Sequence, residues 1–209
     1  MSEQFILVIE GLSNLTALDD IGRHSIEAAR IAVNAAARRG RTMLADEVLR
    51  EVDFPASYVA PRNQRLYVKK TASNANLEAV ISAQSRRTSL AQFATGAATR
   101  AGKKGVRVKV GKGGGGAELK RAFLIRLRAG NASLDTKSNL GLAYRTKDGR
   151  PPPGYKPTQL APNLWLLYGP SVAQVLHSDT TNSGAANELS PDIAELLERE
   201  FWRQMDLRA

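Results

Sequence analysis

One stretch of the chain carries almost all of its excess positive charge. The 209 residues contain 30 Lys and Arg against 20 Asp and Glu, a net charge of +10. Twelve of these cations and a single acid, Glu118, lie within residues 86–128, so this basic segment carries +11 and the other 166 residues carry −1. Like charges repel one another in a compact core. Gly111 and the run Gly113–Gly116 also increase the conformational entropy that is lost when the backbone becomes ordered. The pattern therefore predicts a long mobile arm or hairpin on a near-neutral body, rather than core.

Hydrophobic alternation within the basic segment predicts β-structure. The sequence VRVKV at residues 106–110 has the two-residue period of a strand with one apolar and one cationic face. The apolar stretch at residues 122–127 predicts the returning strand, which makes the glycine run the tip of a hairpin. We place this hairpin or arm at about residues 97–121.

Two interpretations of these cations remain open. The segment is either a solvated loop that keeps the protein soluble, or a surface that contacts a polyanion such as DNA phosphates or an acidic protein. Only Phe93 and Phe123 are aromatic within it, which does not favour base stacking, and no base-reading motif is present. The candidate contact residues are Arg100, Lys103, Lys104, Arg107, Lys109, Lys112, Lys120 and Arg121.

The remaining sequence predicts a mixture of strands and helices. A short strand over residues 5–11 precedes a helix from about Thr16 to Val52, in which Gly40 is a point where the helix can break or bend. Further strands follow, then a polar loop at residues 178–189 and a closing helix. Regular strand–helix alternation is lacking, so the expected fold is α+β with a mixed or antiparallel sheet. The chain is expected to form one domain over residues 1–209.

Both predicted helices have features that suit contact with other subunits. Small residues recur along the long helix and allow another element to approach closely. In the closing helix Phe201 and Trp202 are adjacent, so one of them is expected to be exposed unless another chain covers it. The candidate oligomer or partner interface consists of Ala28, Ala32, Ala35, Phe201 and Trp202.

The residues that catalysis or cofactor binding needs are scarce. The chain has no cysteine and only His24 and His177, which leaves little for a thiolate nucleophile, an imidazole base or a metal centre. The sequence around Gly111-Lys112-Gly113 fails the phosphate-loop pattern at two positions. We therefore expect no enzyme, no cofactor and no metal. No apolar run approaches the ~18 residues of a membrane span, so no membrane association is expected.

Several segments together resemble the minor tail protein Z family of long-tailed bacteriophages. The resemblance rests on residues 11–15 (GLSNL), 28–39, 106–125, 145–150 (RTKDGR) and 167–172 (LYGPSV). The resemblance extends over most of the chain and consists of features that occur in the same order. Its most specific part is the YGPSV stretch with the basic region before it. No counterpart is placed for the insertions around residues 113–116 and 180–189.

The resemblance implies a virion protein at the head-proximal end of the tail. Related tail completion and terminator proteins are α+β domains that form hexameric rings. The expected partners are further copies of the chain, the tail tube protein and a head–tail connector or stopper protein, with possible nonspecific contact to packaged DNA or the tape-measure protein. The expected location is the virion neck, after synthesis in the host cytoplasm. The alternative is a sequence-nonspecific DNA-binding protein that uses residues 86–128.

Overall fold

The chain folds into helices and antiparallel sheets, which confirms the predicted α+β class. The structure is a computed structural model that describes residues 5–9, 23–95, 105–127, 139–152, 157–177 and 185–208. The helices are α1 (Arg23–Glu51), α2 (Val172–Leu176), α3 (Ala185–Glu188) and α4 (Ser190–Asp206). The strands are β1 (Phe5–Ile9), β2 (Leu66–Lys70), β3 (Ala79–Ala83), β4 (Thr88–Ser89), β5 (Ala94–Thr95), β6 (Val106–Val108), β7 (Ala117–Leu119), β8 (Ala122–Arg126), β9 (Leu140–Arg145), β10 (Thr158–Ala161) and β11 (Leu164–Gly169).

The chain divides into two compact units. Unit 1 comprises Met1–Val48, Ser57–Ser85 and Val172–Ala209, and unit 2 comprises Leu49–Ala56 and Arg86–Ser171. The expectation of a single domain over residues 1–209 stays a prediction.

Unit 1 combines the long helix with a three-stranded antiparallel sheet. The strand order is β1–β3–β2, and every residue of the central strand β3 is buried. Ala28 and Ala32 of α1 have no exposed surface. A Cβ at Gly40 would lie 3.0 Å from the Ile193 Cδ1 atom of α4 and 3.6 Å from Ile81 Cδ1 of β3. Gly40 therefore permits close packing inside a continuous helix, and the predicted break or bend does not occur.

Two polar side chains of α1 hold neighbouring backbone in place. The Asn34 side-chain amide donates to the Ala72 carbonyl at 3.0 Å and accepts from the Ala72 N–H at 2.8 Å. The Arg41 guanidinium donates to the carbonyls of Leu66, at 3.0 Å, and of Val59. Burial lowers the pKa of Arg41 from its ordinary value. These bonds satisfy backbone groups that the β-ladder leaves unpaired.

The closing helix lies where the sequence predicted it, and a short helix occupies the end of the predicted polar loop. Ile193 and Leu197 of the predicted apolar stripe are buried. Within the predicted polar loop at 178–189, residues 185–188 form α3, whereas residues 178–184 lie outside the described part of the chain.

Unit 2 contains two antiparallel sheets. One has the order β10–β11–β9–β8, with β4 also paired to β11, and the other has the order β5–β6–β7. Leu142 of β9 and Leu167 of β11 are fully buried. The rings of Phe54 and Phe93 also meet in this unit, with centroids 5.2 Å apart. The core of unit 2 thus lies against its central strands.

The outer strand β10 is exposed along its whole length. Its four residues, Thr158–Ala161, are uncharged, and 46% of the Leu160 side chain is exposed. A register shift interrupts its pairing with β11, and Pro157 and Pro162 flank it. A bulge and flanking prolines are features that discourage further strand pairing.

Replacement of Gly40 should destabilise unit 1 more than the same replacement at an exposed neighbour. Gly40→Val adds an isopropyl side chain against Ile193, and overpacking of this kind should lower the free energy of unfolding by about 2 kcal/mol. Arg39→Val is the matched control, because it places valine at an exposed site of the same helix. Denaturant unfolding of both variants measures the difference, and equal losses would contradict the packing role of Gly40.

Candidate functional site

Part of the basic segment is core, contrary to the prediction of an arm without core. Val106 and Val108 of β6 are 2% and 3% exposed, whereas Arg107 between them is exposed. β6 pairs with β7, and Arg107 lies opposite Glu118. Alternation along the strand therefore buries the valines and directs the arginine outward.

The returning strand is also different from the one predicted. β7 is short and forms the second arm of the hairpin, whereas residues 122–126 form β8 and pair with β9 in the other sheet. Apolar character alone placed a strand at 122–127, but it could not identify the partner of that strand. We call β6, β7 and the connection between them, residues 106–119, the cationic hairpin.

Backbone hydrogen bonds attach the cationic hairpin to the chain that follows α1. The Asp53 N–H donates to the Val110 carbonyl at 2.8 Å, and the Lys112 N–H donates to the Glu51 carbonyl at 3.1 Å. Beyond this attachment the glycine tip is open, since a Cβ at Gly113 would meet no atom within 4 Å. The connection of the hairpin is therefore attached at residues 110–112, and the glycine stretch that follows is open.

The predicted cations differ in how accessible they are. Arg107, Lys112, Lys120 and Arg121 are exposed, and Lys109 is half-buried. A Cβ at Gly116 would lie 3.0 Å from Arg107 Nε, so this glycine leaves room for the arginine to extend across β7. Arg100, Lys103 and Lys104 lie outside the described residues.

The fold brings in two cations that sequence reasoning missed as site residues. The Arg145 N–H donates to the Arg121 carbonyl at 3.4 Å, one position beyond the paired register of β8 and β9. Arg121, in the turn just before β8, therefore lies beside Arg145 at the end of β9, and both residues are exposed. Lys147 is exposed just after β9. The sequence predicted strands at β8 and β9. Their pairing depends on the tertiary fold and could not be predicted from local patterns.

Charge is unevenly divided between the two units. Unit 2 has 18 Lys and Arg against 5 Asp and Glu, a net charge of +13, whereas unit 1 has 12 against 15, a net charge of −3. Much of the acid in unit 1 is in α4, and the exposed acids there are Asp192, Glu195, Glu198 and Asp206. The chain thus presents surfaces of opposite sign.

The predicted interface residues fall into two groups. Ala28 and Ala32 have no exposed surface within the folded chain, so their assignment to an intersubunit surface is corrected. Ala35 is half-buried. In α4, Trp202 is 57% exposed and Phe201 is half-buried, with ring centroids 5.4 Å apart. The expectation that one of this aromatic pair is exposed is confirmed for Trp202.

A hydrogen-bonded cluster stabilises the opposite side of α4. The Glu200 carboxylate accepts from Arg203 Nε at 2.8 Å and Nη2 at 2.6 Å, and from Gln204 Nε2 at 2.8 Å. Gln204 is buried and in turn accepts from Arg208. The hydrogen bond from Arg203 is the main cause that lowers the pKa of Glu200 from its ordinary 4.5 to about 2.

Metal-ligand clusters are absent from the described residues. No group of three or more His, Cys, Asp or Glu side chains there is arranged to hold a metal ion. His24 and His177 are both exposed. None of the helices in the described ranges is long and apolar enough to cross a membrane.

Comparison with known proteins adds no relative. No protein-family model, curated protein or solved structure matches the chain. The resemblance to the minor tail protein Z family therefore stays a prediction.

Removal of the Glu200 carboxylate should flatten the acid dependence of stability. Because the pKa of Glu200 is lower in the folded state than in the unfolded chain, its stabilising effect is complete above about pH 4.5 and is lost as the pH falls towards 2. Glu200→Gln should reduce the slope of unfolding free energy against pH across this window. Glu198→Gln, at an exposed site of the same helix, is the control, and denaturant titrations at several pH values provide the measurement. Identical slopes for wild type and Glu200→Gln would contradict the assignment.

Proposed function

We propose that this chain is a structural, non-enzymatic subunit of the neck of a long-tailed bacteriophage tail. It completes or terminates the tail tube, assembles as a hexameric ring, and helps to join the tail to the head. Its partners are further copies of itself, the tail tube protein and a head–tail connector or stopper protein. This proposal is supported by the family resemblance of the sequence and by the surfaces described above.

The observation that carries the proposal is the separation of charge between the two units. A +13 unit and a −3 unit on one chain suit a head-to-tail contact, in which the acidic surface of one copy faces the basic surface of the next. A contact between two different surfaces generates a ring when its rotation closes. Charge separation of this kind has no evident use in a monomeric enzyme, but it orients subunits during assembly.

The exposed face of α4 has the composition of an interface centre. Trp202 is flanked at four-residue spacing by Glu198 and Asp206, which places both carboxylates on its side of the helix. Large aromatic residues surrounded by polar ones typically provide most of the binding energy at protein interfaces. In the proposed ring this face docks on the cationic hairpin of the neighbouring copy, where Arg107 and Lys112 are exposed.

The alternative function, sequence-nonspecific DNA binding through residues 86–128, differs in its response to salt. Phosphate binding weakens steeply with salt because counterions are released on binding. A contact with Trp202 at its centre should weaken less with salt than such a complex, because salt screens its charge pairs but not its apolar burial. Protein self-association measured over a salt series therefore separates the two functions.

Loss of the Trp202 ring should weaken assembly. Mass photometry of the purified chain, alone and with the tail tube protein, is expected to show hexamers. Trp202→Ser should weaken their formation about tenfold or more, since a central interface tryptophan typically contributes about 2 kcal/mol. Leu160→Ser is the matched control because Leu160 is also exposed and apolar, but lies in unit 2, away from α4 in the sequence.

Charge reversal identifies the surface that α4 meets. Glu198→Lys with Asp206→Lys should prevent assembly, and adding Arg107→Glu with Lys112→Glu should restore it by reversing both sides of the contact. Electron microscopy of particles carrying an antibody to the chain should place it at the neck. A chain that stays monomeric with the tube protein present, and that is absent from mature particles, would overturn the proposed function.

A further inference from the structure

We propose that Arg121 and Arg145, with Lys120 and Lys147 beside them, form a binding site for the phosphates of a nucleic-acid backbone. We call these four residues the arginine-pair site. The site goes beyond the assembly role, and it uses residues outside both α4 and the cationic hairpin. All four residues lie in unit 2 of one chain, so the site does not need a residue from a second copy.

The geometry of the arginine-pair site follows from the register of β8 and β9. Ala122 pairs with Tyr144, so the next position in the same register sets Arg121 opposite Arg145. The 3.4 Å hydrogen bond from the Arg145 N–H to the Arg121 carbonyl joins the two backbones there. Arg121 lies in the turn that leads into β8, so this hydrogen bond is what fixes its backbone beside that of Arg145. Two guanidinium groups therefore extend from neighbouring points at one end of the sheet.

This arrangement is unfavourable in the free protein. Like charges directly opposite on neighbouring strands destabilise a sheet, and an arginine cannot relieve the repulsion by losing its proton. The ion pairs among the described residues, Arg30–Glu27, Lys70–Glu78 and Arg203–Glu200, do not include either guanidinium. An anion bound between the two arginines would remove the repulsion.

Two acids, Glu118 and Asp148, lie three residues from the pair in sequence, and Glu118 is opposite Arg107 in the β6–β7 register. Asp148 lies in the turn after β9, and its carboxylate accepts from the Arg150 N–H at 3.4 Å. Lys120 and Lys147, both exposed, extend the positive charge along the chain on either side of the pair. The site is thus a row of cations rather than one isolated charge.

The chemistry favours phosphodiesters over protein carboxylates as the ligand. A phosphodiester has two charged non-bridging oxygens that point in different directions, so each can accept from one of two adjacent guanidinium groups. The surrounding unit carries +13, and such a broad field favours a polymer with a regular charge on every residue, whose binding releases counterions. Contacts to phosphate carry no sequence information, so binding through this site is independent of base sequence.

Fluorescence anisotropy with a short labelled DNA duplex of arbitrary sequence tests the site. The double variant Arg121→Gln, Arg145→Gln should weaken binding about tenfold and reduce the slope of log affinity against log salt by about 2, one for each lost phosphate contact. The control is Arg38→Gln, Arg39→Gln, which removes two exposed arginines of α1 and changes the net charge equally. This control should retain nearly all of the wild-type affinity and slope.

A second measurement distinguishes loss of binding from loss of folding. Because the arginines repel each other, Arg145→Gln should leave the melting temperature of the free protein unchanged or raise it. A lowered melting temperature would assign Arg145 a structural role and would overturn the proposal.

Competition separates phosphate from carboxylate as the ligand. Polyglutamate should displace the DNA much less well than an unlabelled duplex of matched charge. Equal competition would replace the nucleic acid with an acidic protein surface as the ligand. Equal loss of affinity in the two double variants, or no binding by the wild type, would overturn the site.

These outcomes are separate from those of the assembly test. Trp202→Ser should bind DNA as the wild type does, whereas the Arg121→Gln, Arg145→Gln variant should still form rings. Failure of the site would therefore leave the proposed neck function standing, and failure of assembly would leave the site standing.

Discussion

The strict alternation of side chains along paired strands governs the surface of unit 2. Each strand that buries one set of residues must direct the other set outward. In β6 this rule buries Val106 and Val108 and exposes Arg107. Repulsion among the cations alone would favour an extended arm. Burial of the two valines offsets this repulsion, because their apolar contacts keep the strand packed in the core. A cationic surface and a packed sheet are thus produced by the same residues.

Local patterns in the sequence were sufficient to predict the classes of element, but not how these elements pair. Two-residue alternation located β2 and β6, and the three- to four-residue recurrence of Ile193 and Leu197 located α4. The partner of β8 depended on long-range pairing, so the strand expected to close the hairpin was assigned to the wrong sheet. For the same reason Arg145 was not recognised as a neighbour of Arg121.

The small residues of α1 show a second limit of sequence reasoning. A stripe of alanines predicts close approach by another element, and close approach is what the structure contains. The sequence does not say whether that element belongs to the same chain. In unit 1 it does, because Ile193 and Ile81 meet the helix at Gly40 and Ala28 and Ala32 are fully buried. Trp202, by contrast, is 57% exposed, so α4 presents a large aromatic side chain to a partner.

The exposed outer strand β10 should make aggregation of this protein depend on ionic strength. An uncharged exposed strand offers its unpaired backbone groups as a template for another strand. Its bulge and flanking prolines hinder that pairing, and the +13 charge of unit 2 keeps the edges of two molecules apart. Electrolyte shortens the range of this repulsion to about 3 Å at 1 M. High salt therefore removes the long-range electrostatic repulsion that opposes edge-to-edge aggregation. The bulge and the prolines are then the features that still hinder strand pairing.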